Sequence, residues 1–177
     1  MIPVTFPGGP GRVGPMIELP ALLRQAPRLS LAVAESLTCG QVQARVGAIS
    51  GASDFFLGGI TAYTLDQKVA QLGVRRAAAR RVDCVSADVA REMARGVCRR
   101  FGSDLGLATT GYAEPSAAAG VADPFAWWAL AHVRRGRTVA LLAGRIECPG
   151  AGRVEAQSLV AVAALAELTD YLRRIRA

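Results

Sequence analysis

Residues 29–35, LSLAVAE, are apolar almost without a break and end at Ser36; from Thr38 the apolar positions move to Val42, Val46 and Ile49. A short apolar run closed by a polar turn reads as a strand covered on both faces, and the three- and four-residue spacing after it reads as a helix. Strand, tight turn and helix form the repeating unit of sheets with helices packed on them. The same order puts Ser36 at the carboxyl end of a buried strand, beside the free N–H groups of the helix start.

The rest of the chain continues that alternation. Residues 1–16 are broken by Pro and Gly too often for a regular element and read as a flexible lead-in, leaving 17–177 as a single domain. A short helix with Ile17, Leu19, Leu22 and Leu23 on one side precedes the first strand. A second strand is expected over Phe55–Thr64, with Gly58 and Gly59 marking a bulge or close backbone approach. Ser86 is a good N-cap for a helix over Ala87–Phe101 whose inner stripe is Val89, Met93, Val97 and Phe101. A strand ending at Thr110 and Gly111 follows, then a loop of small residues over 112–124. FAWWALAHV and RTVALLAGRIE form a hairpin. A last helix runs from about Arg153 to Arg174, with Leu159, Val162, Leu165 and Leu168 expected inside. The pattern implies a three-layer α/β/α sandwich on a mixed sheet, in which ligands gather beyond the carboxyl ends of strands.

Composition narrows the function classes. At 177 residues and 51% hydrophobic content the chain suffices for one sizeable core. It has no apolar run of membrane-spanning length and no signal-peptide pattern, and its four cysteines, 39, 84, 98 and 148, are widely spaced. A cytoplasmic protein with free thiols, no membrane association and no metal site is expected. The net charge of +7 is dispersed; apart from VRRAAARRV at 74–82 the arginines do not cluster, and no aromatics interleave with them, so nucleic acid is not the expected partner.

Of 21 basic residues only Lys68 is a lysine. Arginine stays protonated, whereas a lysine amine can be driven neutral by burial and then act as a base. Codon bias toward arginine explains the twenty arginines; it leaves open whether Lys68 is chemical or merely solvated. With one histidine, His132, placed mid-strand where it reads equally as a core or a surface side chain, a Ser-His-Asp triad has little to draw on. Lysine is the known substitute base, and Ser36 with Lys68 is the pair this chain offers. Ser36 also reads as a turn or N-cap serine. Tyr63, five residues before Lys68, reads either as a proton-relay or orienting group or as a half-buried strand aromatic.

AESLTCG at 34–40, FFLGGITAYTLDQKVAQLGV at 55–74, VSADVAREMARGV at 85–97 and LATTGYAEP at 107–115 together resemble the C-terminal domain family of the competence-damage protein CinA. That family includes stand-alone nicotinamide-nucleotide amidohydrolases. The resemblance spans roughly residues 17–174, and its most specific part is the segment that carries Gly58, Gly59, Tyr63 and Lys68. It implies a bacterial, homo-oligomeric domain, without cofactor, that hydrolyses the carboxamide of nicotinamide mononucleotide or a related small-molecule amide through an acyl-enzyme. Position by position it implies Ser36 as nucleophile, Lys68 as base and Tyr63 as assistant. Thr38, Cys39, Gly40, Thr110, Gly111 and Arg153 are implied around the substrate.

The chain departs from the family pattern at several points. Leu37 and Cys39 replace a Cys and a Gly in the serine turn, and Cys39 would add a side chain where backbone should approach the substrate. The Gly-rich pocket loop has become Tyr112, Ala113, Glu114, Pro115, Ser116, Ala117 and Ala118. Near the last helix, Ala151 and Gly152 precede Arg153, and Gln157 follows. Glu114 beside a phosphate would repel it. These changes imply an amidase with altered substrate preference or, alternatively, a catalytically silent ligand-binding or interaction module.

Overall fold

Leu31–Glu35 forms β1, and all five of its residues are buried, as a strand covered on both faces must be. The computed structural model describes residues 15–177, so the lead-in expected over 1–16 lies largely outside the described residues; Pro15 and Met16 already belong to a helix, α1, Pro15–Arg24. The remaining elements follow in order: α2 Gln41–Gly47, β2 Phe56–Thr61, α3 Leu65–Leu72, α4 Arg76–Arg80, α5 Ala87–Phe101, β3 Leu105–Tyr112, β4 Phe125–Arg134, β5 Arg137–Glu147 and α6 Arg153–Arg176.

One five-stranded sheet runs β2-β1-β3-β4-β5. The first three neighbours are parallel, and β4 and β5 are added antiparallel. Alternation along β1 assigns its faces. Leu31 and Val33 join Leu19 and Leu23 of α1, Val42 and Val46 of α2, and Leu165, Leu168 and Leu172 of α6. Ala32 and Ala34 face Leu72 of α3, Ala79 of α4 and Met93 and Val97 of α5. The architecture is the three-layer sandwich on a mixed sheet that the sequence implies. Small residues toward α5 let it sit close: a Cβ on Gly106 of β3 would lie 2.2 Å from the Ala94 carbonyl oxygen, and one on Gly96 2.1 Å from that of Leu72. The β4–β5 hairpin turns through Arg135 and Gly136, both at positive φ, as a two-residue turn between twisted strands requires.

Several boundaries differ from the sequence reading, each for a local reason. β2 stops at Thr61 rather than Thr64, because the Thr64 side chain accepts a hydrogen bond from the Gln67 amide and starts α3. Its register slips between Leu31 and Ala32, opposite Phe56 and Gly58, which is the irregularity that Gly58 and Gly59 signal. α2 begins at Gln41 and not Thr38, since Cys39 and Gly40 are left-handed. β3 continues to Tyr112, paired with Phe125. Ile17 is 71% exposed, and Val162 also faces outward; Val160, Ala161 and Ala164 take the inner positions of α6 instead. The last helix, the Ser86 cap and the α5 stripe lie where the sequence places them, with Phe101 only partly buried.

Candidate active site

Because β1, β2 and β3 are parallel, the chain leaves all three at the same edge of the sheet. Ser36 follows β1, Tyr63 follows β2, and Thr110 lies two residues from the end of β3. A cavity of about 560 Å³ opens over that edge; Ser36, Tyr63, Lys68, Thr110, Gly111 and Arg153 are all in its wall.

Its floor is a serine and a lysine. Lys68 lies in the second turn of α3, is 2% exposed, and its Nζ is 2.9 Å from Ser36 Oγ. The amine also donates to the carbonyls of Ala62 and Tyr63, each at 3.0 Å. Burial pushes the amine below its ordinary pKa of 10.5, and the nearby Cys84 and Asp83 oppose that shift only in part. Two carbonyls accept the two hydrogens of a neutral amine, which leaves its lone pair on the Ser36 hydroxyl. A protonated amine finds the same three acceptors. The pocket thus accommodates both protonation states, as a base that takes and returns a proton must.

The serine turn is held from within. Glu35, the last residue of β1, is fully buried, and its carboxylate accepts the amides of Gly40, Val42 and Gln43 at 3.0, 3.1 and 2.9 Å. The Gln41 amide goes to the Thr38 carbonyl. The free amides of the helix start, expected to face a developing oxyanion, are therefore committed to Glu35. Within the turn, the Ser36 amide donates to the Thr109 carbonyl and the Cys39 amide to the Ser36 carbonyl. The amide of Leu37, a cavity-wall residue, makes no hydrogen bond among the described residues. Replacing Glu35 by alanine removes the acceptor of three amides, of which the Val42 amide is buried and those of Gly40 and Gln43 partly so; a buried donor left unpaired costs about 1–3 kcal/mol. Chemical denaturation should show a stability loss of at least about 1 kcal/mol, and the loosened turn should lower any Ser36-dependent activity as well.

The other implied residues divide. Thr110 is buried and donates to the Cys84 carbonyl at 2.8 Å, fixing the opposite wall. Gly111 admits no side chain: a Cβ there would be 2.2 Å from the Phe125 carbonyl oxygen. Thr38, Cys39 and Gly40 are not in the cavity wall. Thr38 is fully buried against Thr109, with 2.7 Å between hydroxyls; Gly40 serves the Glu35 cap; and Cys39 is exposed away from the cavity, so its side chain does not obstruct a substrate. His132 belongs to the α6 side, where its Nδ1 is 2.7 Å from the Tyr171 hydroxyl.

Tyr63 orients the amine through its backbone, and its ring serves a different contact. Its carbonyl orients the Lys68 amine, while its half-exposed ring puts the hydroxyl 2.6 Å from Arg153 Nη2. The other arm of Arg153 donates to Glu114 at 2.6 Å. Sequence reasoning missed the wall formed by Arg80, Asp83 and Cys84, which meets Tyr112 of the pocket loop. Asp83 and Cys84 both adopt positive φ in the bend between α4 and α5. The Tyr112 hydroxyl donates to Asp83 at 2.8 Å, and burial followed by that carboxylate pushes its pKa up to about 12, so it remains a donor at neutral pH. A signal for this wall lay in the composition of the bend, where Asp, a residue that tolerates left-handed backbone, precedes Cys84. Among the described residues no group of three or more His, Cys, Asp or Glu is arranged to hold a metal, and no helix is long and apolar enough to cross a membrane.

An α/β sheet covered on both faces, with a buried lysine on a serine at its parallel edge, defines a domain built around a Ser–Lys pair. The chain belongs to the CinA C-terminal domain family, whose model matches residues 17–172. A CinA-like protein of Chlorobium limicola is 47% identical over 92 residues, which is 52% of this chain and 21% of that protein. One of Picosynechococcus is 46% identical over 86 residues, 49% of this chain and 20% of the relative. The aligned parts thus span about a fifth of those curated relatives' length. Among solved structures, a competence-damaged protein (CinA) superfamily protein from Enterobacter cloacae superposes with a TM-score of 0.81 at 25% identity, covering 97% of this chain and 99% of that one. One from Escherichia coli gives 0.76 at 28% identity, covering 89% and 87%.

Proposed function

We propose that the protein is an amidohydrolase that cleaves a primary carboxamide, that of nicotinamide mononucleotide or a related amide, through an acyl-enzyme on Ser36. The observation that carries this reading is the 2.9 Å approach of a buried, depressed-pKa lysine to a serine hydroxyl at the floor of an open cavity. Neutral Lys68 takes the Ser36 proton as Oγ attacks the carboxamide carbon, and the oxyanion forms beside the Leu37 amide. Lys68 then gives its proton to the departing nitrogen, so that ammonia leaves. A water molecule, deprotonated by the regenerated amine, attacks the ester; Ser36 recovers its proton and the carboxylic acid is released. Tyr63 assists through its carbonyl, which holds the amine on the serine.

The test is ammonia release by the purified protein from nicotinamide mononucleotide, nicotinamide riboside and nicotinamide. Release from at least one is expected. Folded protein that releases none from any of the three would favour the silent ligand-binding module, a reading that the Arg153–Glu114 pair across the cavity rim supports.

A further inference from the structure

The charges around the Ser–Lys floor cancel. Besides Lys68, the wall carries Arg80 and Arg153 against Asp83 and Glu114. Asp83 is engaged by the Tyr112 hydroxyl and lies in the bend that follows Arg80, the last residue of α4. Arg153 is engaged on both arms, by the Tyr63 hydroxyl and by Glu114, each at 2.6 Å. Arg153, one of two guanidiniums in the wall, thus already holds an anion, and that anion belongs to the protein.

The pairing is set up by packing beneath it. Ala113, next to Glu114, and Ala156, on the first turn of α6 with Arg153, are buried in one small cluster with Leu37, the residue after Ser36. The backbones carrying the carboxylate, the guanidinium and the nucleophile are fixed to one another, so the contact needs no further ordering of the backbone. The two side chains are themselves 59% and 44% exposed, which makes the contact breakable by a ligand at modest cost.

We propose that Glu114 is a specificity residue: it occupies Arg153 as an internal anion, so that the cavity selects carboxamides with an uncharged body over phosphorylated ones. The inference rests on the amidohydrolase reading for the word substrate, but its physical content is a binding preference. An anionic group that goes to Arg153 must either displace Glu114 or sit beside it; an uncharged ligand has no call on Arg153.

The test uses Ser36→Ala protein, in which turnover cannot interfere, with and without Glu114→Gln. Affinities for nicotinamide mononucleotide, nicotinamide riboside and inorganic phosphate are measured by calorimetry. The riboside should bind the Ser36→Ala protein at least as tightly as the mononucleotide. Glu114→Gln should raise the mononucleotide-to-riboside affinity ratio by about five- to tenfold, and adding Arg153→Gln should remove the gain. The proposal is overturned if the Ser36→Ala protein prefers the mononucleotide. It is equally overturned if Glu114→Gln brings no gain for either phosphate-bearing probe, including the case in which none of the three binds. Ammonia release by the wild-type protein is scored separately, so a failed amidase reading leaves a Glu114-dependent binding preference visible in its own right.

Discussion

Ser36→Ala protein will release ammonia at least about 10⁴-fold more slowly than wild type, since removal of an acyl-enzyme nucleophile leaves only binding and oxyanion stabilisation. The fold should tolerate the change. Without the hydroxyl, neutral Lys68 still has the Ala62 and Tyr63 carbonyls for its two hydrogens, so no buried donor is stranded. A melting temperature close to that of wild type, alongside lost turnover, separates a chemical role for Ser36 from a structural one. Turnover within tenfold of wild type would show that the serine is only a turn residue.

Lys68→Met will cost about 10²- to 10⁴-fold in turnover, the range of a positioned general base. The double variant with Ser36→Ala should be no slower than Ser36→Ala alone, because the two groups act as one unit. The pH dependence has a definite sign. Only the neutral amine can accept the serine proton, so kcat/KM should rise with pH through the folded-state pKa of Lys68, which burial places below 10.5, and then level off. Stability moves the same way: between that lowered pKa and 10.5 the unfolded chain binds more protons than the folded one, so stability rises with pH across the window. Both rises should vanish in Lys68→Met. A wild-type rate profile that stays flat as the pH passes through the folded-state pKa of Lys68 would contradict the assignment of Lys68 as base.

The layer architecture was legible because β1 is short, apolar throughout and followed at once by helical spacing, a combination that few other arrangements accommodate. The Ser–Lys approach was legible only as a pairing by type. Bringing residues 36 and 68 together depends on β1 and β2 being parallel neighbours, and strand direction leaves no mark on apolar periodicity. Glu35 shows the limit most clearly. As a sequence letter it closes a strand, whereas its buried carboxylate secures the serine turn through three amides and takes the helix start away from the oxyanion role expected of it. Thr38 and Cys39 were misplaced for a related reason: a left-handed Cys39 turns the chain out of the cavity, and φ is not written in residue type outside Gly, Asn and Asp. The Glu114–Arg153 pair joins residues 39 positions apart on different elements, so the sequence showed both charges but not their contact. An acidic residue in a pocket loop reads as repulsion until its cation is located.

The measurement closest to the central claim is ammonia release from the amide turned over fastest, run with wild-type, Ser36→Ala and Lys68→Met proteins side by side at a pH above the folded-state pKa of Lys68. Release by wild type and its near disappearance in both variants, with all three folded, is the predicted result. Release sustained in either variant would contradict catalysis by the Ser36–Lys68 pair.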